Sequence, residues 1–307
     1  QLGLRVEQTN SNGVLTSMVD TDDDAVKRNY LDFFPSLGLN YQFNDKNSFQ
    51  LQYSRRINRP SYQDLNPFEG RLDELTFQKG NPFLNPEYAN KLSVTHTWNH
   101  AINTSFSFSH TSDKITRIID VQDITATFIT WLNLENQYDY TLTVGGAIPI
   151  TKWWSSYTNL MAMHLRNRAD FGEGRLVDFS VNTFQVYSQH SFQLPGNISL
   201  EVSGWYMTPS LWEGTFKMED MGSVDVGLQK KILDGRANIK LSFSDVFLSQ
   251  QWRGASQFGV QYMNIEGGND TRRIKLNFSY LFGNNQVKSR RRNTGLEDET
   301  RRIKSGD

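Results

Sequence analysis

Three arginines, Arg55, Arg56 and Arg59, crowd the run Y-S-R-R-I-N-R-P-S-Y-Q-D-L-N-P-F (53–68), and G-N-P-F-L-N-P-E (80–87) follows shortly after. Together the two runs hold Pro60, Pro67, Pro82 and Pro86, half of the eight prolines in the chain. The segment reads in four ways: a linker between domains, a proline-rich docking site, a catalytic loop or a structural corner. The surrounding chain has to choose between these readings.

Other chemistry is sparse. The five histidines, His96, His100, His110, His164 and His190, are scattered. His96 and His100 would share a helix face, but in a strand and turn they lie too far apart to hold a metal together. Asp20, Asp22 and Asp24 have the opening rhythm of a calcium loop, yet Ala25 replaces the required glycine and Leu31 the closing glutamate. That stretch reads as an acidic, solvated loop. No G-x-S-x-G, glycine-rich phosphate loop or paired-carboxylate constellation is present. With no cysteine there is neither a disulfide framework nor a zinc-thiolate site. The reading is therefore a non-enzyme, with no catalytic residue, metal or cofactor assigned. A net charge of −1 gives no field that favours nucleic acid.

The elements that must position these residues are strands. Period-two alternation recurs along the chain, while helical spacing is nearly absent. Ile274, Leu276, Phe278, Tyr280 and Phe282 alternate with Lys275, Asn277 and Ser279. Phe49, Leu51 and Tyr53 alternate with Gln50, Gln52 and Ser54, and Ile102, Thr104, Phe106 and Phe108 with Asn103, Ser105, Ser107 and Ser109. Aromatics reach 13%, against a remainder rich in Asn, Gln, Ser and Thr, which suits strands with one apolar and one wet face. The expected strands number about twelve: 1–9, 31–43, 47–57, 87–98, 102–119, 127–149, 152–167, 174–192, 196–208, 214–231, 236–247 and 271–282. The stretch 248–265 is read as extending the eleventh above the membrane. In 174–192 the apolar parity changes from Val177, Phe179 and Val181 to Phe184 and Val186, which predicts a bulge near Asn182-Thr183. No lipid face can be chosen for 152–166.

Connection lengths separate a soluble sandwich from a membrane barrel. Short turns near 44–46, 99–101, 150–152, 195–197 and 233–235 alternate with long connections near 10–30, 58–86, 120–126, 167–174, 208–214 and 246–270. A barrel with one periplasmic and one exterior rim has this asymmetry. Open sheet edges cannot face hydrocarbon, so a membrane sheet of this kind must belong to a closed barrel. No run of about 18 apolar residues suggests a membrane helix. Because the chain opens on L-G-L-R-V-E, in mid-strand, more protein is expected before Gln1; a complete twelve-stranded barrel would instead pair 1–9 with 271–282.

The paired runs at 53–68 and 80–87, with G-L-R-V-E (3–7), I-T-K-W-W (150–154), D-V-F (245–247) and R-R-I-K-L-N-F-S-Y-L-F-G (272–283), resemble the C-terminal barrel half of TonB-dependent receptors and related outer-membrane β-barrel proteins. The resemblance implies an all-β transmembrane antiparallel barrel of about 22 strands, of which those present here would be the last. It implies an N-terminal plug domain, a periplasmic energy-coupling protein and substrate uptake at the outer membrane. The alternative is a barrel serving as a structural or scaffolding subunit of a membrane assembly or secretion complex, with a surface lipoprotein or other outer-membrane subunits as partners.

On this reading residues 1–282 form the barrel segment, in contact with outer-membrane lipid, and 283–307 a periplasmic tail. The family signature is Arg55, Arg56, Arg59, Pro60, Asn66, Pro67, Gly80, Asn81, Pro82, Leu84, Pro86 and Glu87, read as a structural corner on the outer rim. Arg56 shares the parity of Gln52 and should face the lumen. Arg55 shares that of Leu51 and Tyr53 and would cost about 2–4 kcal/mol at mid-membrane, so it is placed at or above the outer interface. Trp205, Tyr206, Trp212 and Phe83 are expected on loops, as possible aromatic contacts for a ligand.

Overall fold

The computed structural model describes residues 1–14, 25–123, 126–172, 174–258 and 261–282. The calcium-like rhythm at Asp20, Asp22 and Asp24 and the tail 283–307 lie outside the described residues. In chain order the elements are β1 (Leu2–Val14), β2 (Ala25–Asn44), β3 (Asn47–Asn58), the short helix α1 (Tyr62–Leu65), β4 (Gly70–Arg71) and β5 (Thr76–Gln78). They continue with β6 (Glu87–Trp98), β7 (Ile102–Asp123), β8 (Ala126–Pro149), β9 (Trp154–Asp170), β10 (Leu176–Leu194) and β11 (Ile198–Met207). Last come β12 (Ser210–Trp212), β13 (Phe216–Met218), β14 (Met221–Ile232), β15 (Ala237–Ser244), β16 (Gln251–Phe258), β17 (Gln261–Gly268) and β18 (Arg273–Tyr280).

Twelve long strands form an antiparallel meander in the order β1-β2-β3-β6-β7-β8-β9-β10-β11-β14-β15-β18. They match the twelve expected from alternation. β1 and β18 are the two edges of this open sheet and do not pair with each other. Among the described residues no helix is long and apolar enough to cross a membrane.

The register makes the two faces of the sheet explicit. One row runs Leu39, Leu51, Val94, Phe106, Leu142, Ala162 and Phe184 across seven strands. One residue along each strand, the row reads Gly38, Gln52, Ser93, Ser107, Thr141, Met163 and Thr183. The first row is apolar yet exposed, with Leu39 at 51% and Phe184 at 60%. Water would penalise such a face by about 25 cal/mol per Å², whereas hydrocarbon does not. This register also assigns the β9 face that the sequence left open, since Leu160, Ala162 and His164 lie with Val144, Leu142 and Tyr140. Trp98, Trp153, Trp154 and Phe192 gather at the short-turn rim, with Trp154 and Phe192 stacked at 5.7 Å, as an interfacial girdle would. The turns there use left-handed residues, Asn99 and His100 in one and Leu233, Asp234 and Gly235 in another, as tight hairpins require.

At the long-loop rim the strands behave differently. Asp113, with φ 53°, interrupts β7 without changing its register to β8, since Ser112 pairs with Asn136 and Lys114 with Leu134. Below Asp113 the buried position is Thr111; above it Thr116 and Ile118 are buried, so the packed parity moves by one residue. Asn133 Nδ2 donates to the Asp113 carbonyl at 2.7 Å and occupies the irregularity. The upper part of β8 leaves β9 and takes β5 as a parallel neighbour, Phe77 beside Phe128. A second sheet, β12-β13-β16-β17, shares no ladder with the first. Its Phe258 enters a core with Ile118, Leu134, Ala169 and Val177, flanked by Leu132, Phe171 and Phe179.

Several expectations are corrected here. There is no bulge at Asn182-Thr183, because β9 and β10 keep one register from Trp154–Phe192 to Asp170–Leu176. The parity change in β10 has another cause: Val177 and Phe179 pack against the second sheet, whereas Phe184 lies in the exposed apolar row. The strand expected over 214–231 is two, β13 and β14, because the chain visits the second sheet first. The stretch 248–265 does not extend the eleventh strand but falls mostly in the β16–β17 hairpin. Trp205 and Tyr206 are not loop residues; both lie in β11, paired with Ser223 and Gly222 of β14.

Candidate functional site

The signature segment leaves β3 at Asn58 and returns at β6 as a closed corner. Ser61 and Asp64 form a reciprocal capping box on α1, each side chain accepting the other's backbone N–H. The corner then closes on itself: Gly80 N–H donates to Asn66 O at 2.7 Å and Asn81 N–H to Asp64 O at 2.6 Å. A Cβ on Gly80 would lie 2.5–2.7 Å from Asp64 O, Asn66 O and Asn66 N, so only glycine fits this backbone approach. Asn66 Oδ1 accepts from Phe68 N–H and Asn81 Oδ1 from Phe83 N–H, two Asx turns that set the direction of Pro67 and Pro82.

Three anchors fix the corner to the wall. Arg28 of β2 donates to Pro82 O at 2.6 Å and Leu84 O at 2.8 Å. Leu84 is fully buried, and Pro86 is buried beside it. Asn133 accepts from Asn85 N–H at 2.9 Å and donates to Asn85 O at 3.0 Å, while Asn81 Nδ2 donates to Trp131 O. At the entry to β6, the Glu87 carboxylate accepts from Lys114 Nζ at 3.0 Å, Ile115 N–H at 2.9 Å and Asn58 Nδ2 at 3.0 Å.

The arginines part company. Arg59 crosses to β1 and β2, donating to Glu7 at 2.9 Å, Thr9 at 2.8 Å and Tyr30 Oη at 3.3 Å. The Glu7 bond is the main cause that holds its pKa above the ordinary value. Arg55 lies 5.3 Å from the Tyr88 ring centre, and its buried Nε has no hydrogen-bond partner. Tyr88 Oη donates in turn to Asp32 Oδ2 at 3.1 Å. Arg56 and Pro60 make none of these anchoring contacts; Arg56 is exposed and Pro60 half-buried. The three arginines therefore do not converge on one anion site.

Beside the corner is a chamber of about 470 Å³, bounded by Asn58, Arg59, Asp64, Lys114, Trp131 and the Arg117–Glu213 pair. Arg117 Nε meets Glu213 Oε2 at 3.0 Å, and the guanidinium lies 5.4 Å from the Trp212 ring centre. The neighbouring Gly214 carbonyl accepts from buried Asn167 Nδ2 at 3.1 Å. Of the ring-bearing residues expected as ligand contacts, Trp212 reaches this chamber's edge through Arg117, while Phe83 is exposed on the corner.

Asp245 of the D-V-F run is buried at the end of β15. Its carboxylate accepts from Ser249 N–H, Gln250 N–H and Thr271 Oγ1. Burial alone would raise its pKa, but these bonds outweigh burial and hold it below the ordinary carboxylate range. Asn133, Arg28, Lys114 and Glu213 were missed in sequence because each partner lies far along the chain; only the D-V-F run was visible beforehand, and as a weak mark. The histidines are also separated: His96 bonds Asn47, His110 bonds Asn136 and His164 bonds Asn182. Among the described residues no group of acidic or histidine side chains is arranged to hold a metal.

The model for the outer membrane protein beta-barrel family matches residues 1–280. No curated protein matches the chain. Among solved structures, the FrpB iron transporter from Neisseria meningitidis (F5-1 variant) is similar at 14% identity and a TM-score of 0.60, over 91% of this chain and 42% of that one. The F3-3 variant is similar at 14% identity and 0.57, over 91% and 41%. The siderophore receptor PirA from Pseudomonas aeruginosa is similar at 15% identity and 0.52, over 71% and 39%. The chain thus spans about two fifths of the length of these structures, and at such identities the likeness is one of fold. With an apolar exposed face, a polar inner face and a family match over nearly its whole length, the chain is part of an outer-membrane β-barrel and belongs to the outer membrane protein beta-barrel family.

Proposed function

We propose that this chain is the later part of a TonB-dependent-receptor-like barrel that takes up a substrate across the outer membrane. The carrying observation is the long-loop rim: the second sheet and the signature corner pack against the strand ends and border a half-open polar chamber, as a receptor mouth would. The partners of this reading are a plug domain and a periplasmic energy-coupling protein, and the tail 283–307 is a periplasmic extension. The signature residues serve as a structural corner, supported by the buried anchors Gly80, Leu84, Pro86 and Glu87.

Uptake is tested in cells carrying the whole gene, by comparing growth on candidate nutrients with and without the energy-coupling protein. Dependence on both genes supports the reading; a phenotype indifferent to the coupling protein overturns it. A scaffolding subunit is the second reading. It is favoured by Tyr62 at 91%, Phe68 at 63% and Leu75 at 62% exposure on the corner, a loop away from the lipid rows. Copurification of a stoichiometric outer-membrane or lipoprotein partner, lost on Tyr62→Ser with Phe68→Ser, would favour it.

A further inference from the structure

We propose that the chamber beside the corner binds a small zwitterion carrying an ammonium and a carboxylate, which enters between Arg117 and Glu213 and exchanges their ion pair for two of its own. This deepens the receptor reading and rests on it. The chamber's lining cations, Arg59, Lys114 and Arg117, are offset by Asp64 and Glu213, with Glu87 behind Lys114. Such a site selects neither a multiply charged anion nor a cation. A ligand carrying one charge alone would open the Arg117–Glu213 pair and leave one member without a partner, which is the costly outcome. A molecule with both a carboxylate and an ammonium satisfies each.

Of the ion pairs that line the chamber, Arg117–Glu213 is the one that joins the wall to the second sheet. Glu87 is held by three donors and its side chain is only 10% exposed. Glu213 is 27% exposed, and Arg117 35%. Glu213 has φ 52° at the tip of the β12–β13 hairpin, a strained backbone for a non-glycine residue. That hairpin belongs to the second sheet, so the two charges come from different sheets, and the Asn167–Gly214 hydrogen bond holds the hairpin tip while the two side chains part. Trp212 flanks the guanidinium and would keep Arg117 oriented after the carboxylate leaves.

The test uses the purified full protein in detergent, with triglycine as the zwitterionic probe and N-acetyl-triglycine amide as its uncharged counterpart. Ligand-observed NMR titration is expected to detect triglycine and not the blocked peptide. Glu213→Gln and Arg117→Gln should each weaken triglycine about tenfold, the loss of one charge-assisted hydrogen bond. The proposal is overturned if triglycine does not bind, if the blocked peptide binds equally, or if neither substitution weakens triglycine. Because binding is read on purified protein, its loss leaves uptake untouched, and binding without coupled uptake would count against the receptor reading alone.

Discussion

Below the row through Tyr53, Leu92, Phe108 and Tyr140, each strand separates two media. Above it, the same strands pack against other parts of the chain. The lower region has one rule, apolar outward and polar inward. The upper region has several local solutions: a left-handed Asp113, a β8 that changes neighbours, and a sheet folded against the wall. Period-two patterning is imposed by solvent contrast across a sheet, so it stays clean only where that contrast persists. Where protein covers one face, either parity can be apolar, as Val177 and Phe184 on one strand illustrate.

The widest separation of the two regions should come from Phe258→Ala. Truncating this buried ring costs about 3–5 kcal/mol, all of it in the upper core. Limited proteolysis should then cut within 248–270, while heat-modifiable migration of the barrel on gels persists. If the barrel loses heat-modifiable migration as well, the two regions fold as one unit and the contrast fails. Next comes a paired substitution in the lower region. Leu142→Arg places a charge on the exposed apolar row and should cost about 2–4 kcal/mol in a urea titration in lipid. Thr141→Arg, one residue away on the inner face, should cost far less. Equal losses would mean that the two faces have been assigned wrongly.

The lower region was legible because its information is local. Side chains two apart share a face, so the strands and most of the apolar row follow from reading alternation with turn positions; Ala162 of β9 is the member that only the register supplies. The mouth was not legible, because its contacts are long-range and one-off. Glu87 meeting Lys114, Arg59 meeting Glu7 and Arg117 meeting Glu213 each join segments with no shared periodicity. The supposed bulge at Asn182-Thr183 shows the failure directly: a change of surroundings looked like a change of register. The corner was legible in part. Its glycine and prolines marked a turn, but nothing in the sequence identified Arg28 and Asn133 as its anchors.

Gly80→Ala sharpens the comparison within the corner. Its new methyl group would meet three backbone atoms that cannot swing aside, and overpacking of this kind costs about 1–3 kcal/mol. Gly38 lies in a strand with nothing within 4 Å of its Cβ position, so Gly38→Ala should be neutral or slightly stabilising. Urea midpoints of the two variants check this, and a neutral Gly80→Ala would show that the corner is not closed as described.

The smallest effect expected is one of pH, and it also belongs to the upper region. Asp245 has a depressed pKa in the folded protein, so the folded state binds its proton less readily than the unfolded chain. The stability it contributes is therefore complete above the unfolded carboxylate value, and it declines as pH falls through that value toward the folded one. Protonation removes the charge that holds Ser249, Gln250 and Thr271, the two ends of the excursion into β16 and β17. Acidification should thus raise amide exchange there, relative to a neutral-pH reference corrected for intrinsic rates, before it affects β6 to β9. Asp245→Asn should show the raised exchange already at neutral pH and lose most of its acid dependence. Were the acid response unchanged in that variant, another carboxylate would be responsible, and Asp245 would hold the excursion through shape rather than charge.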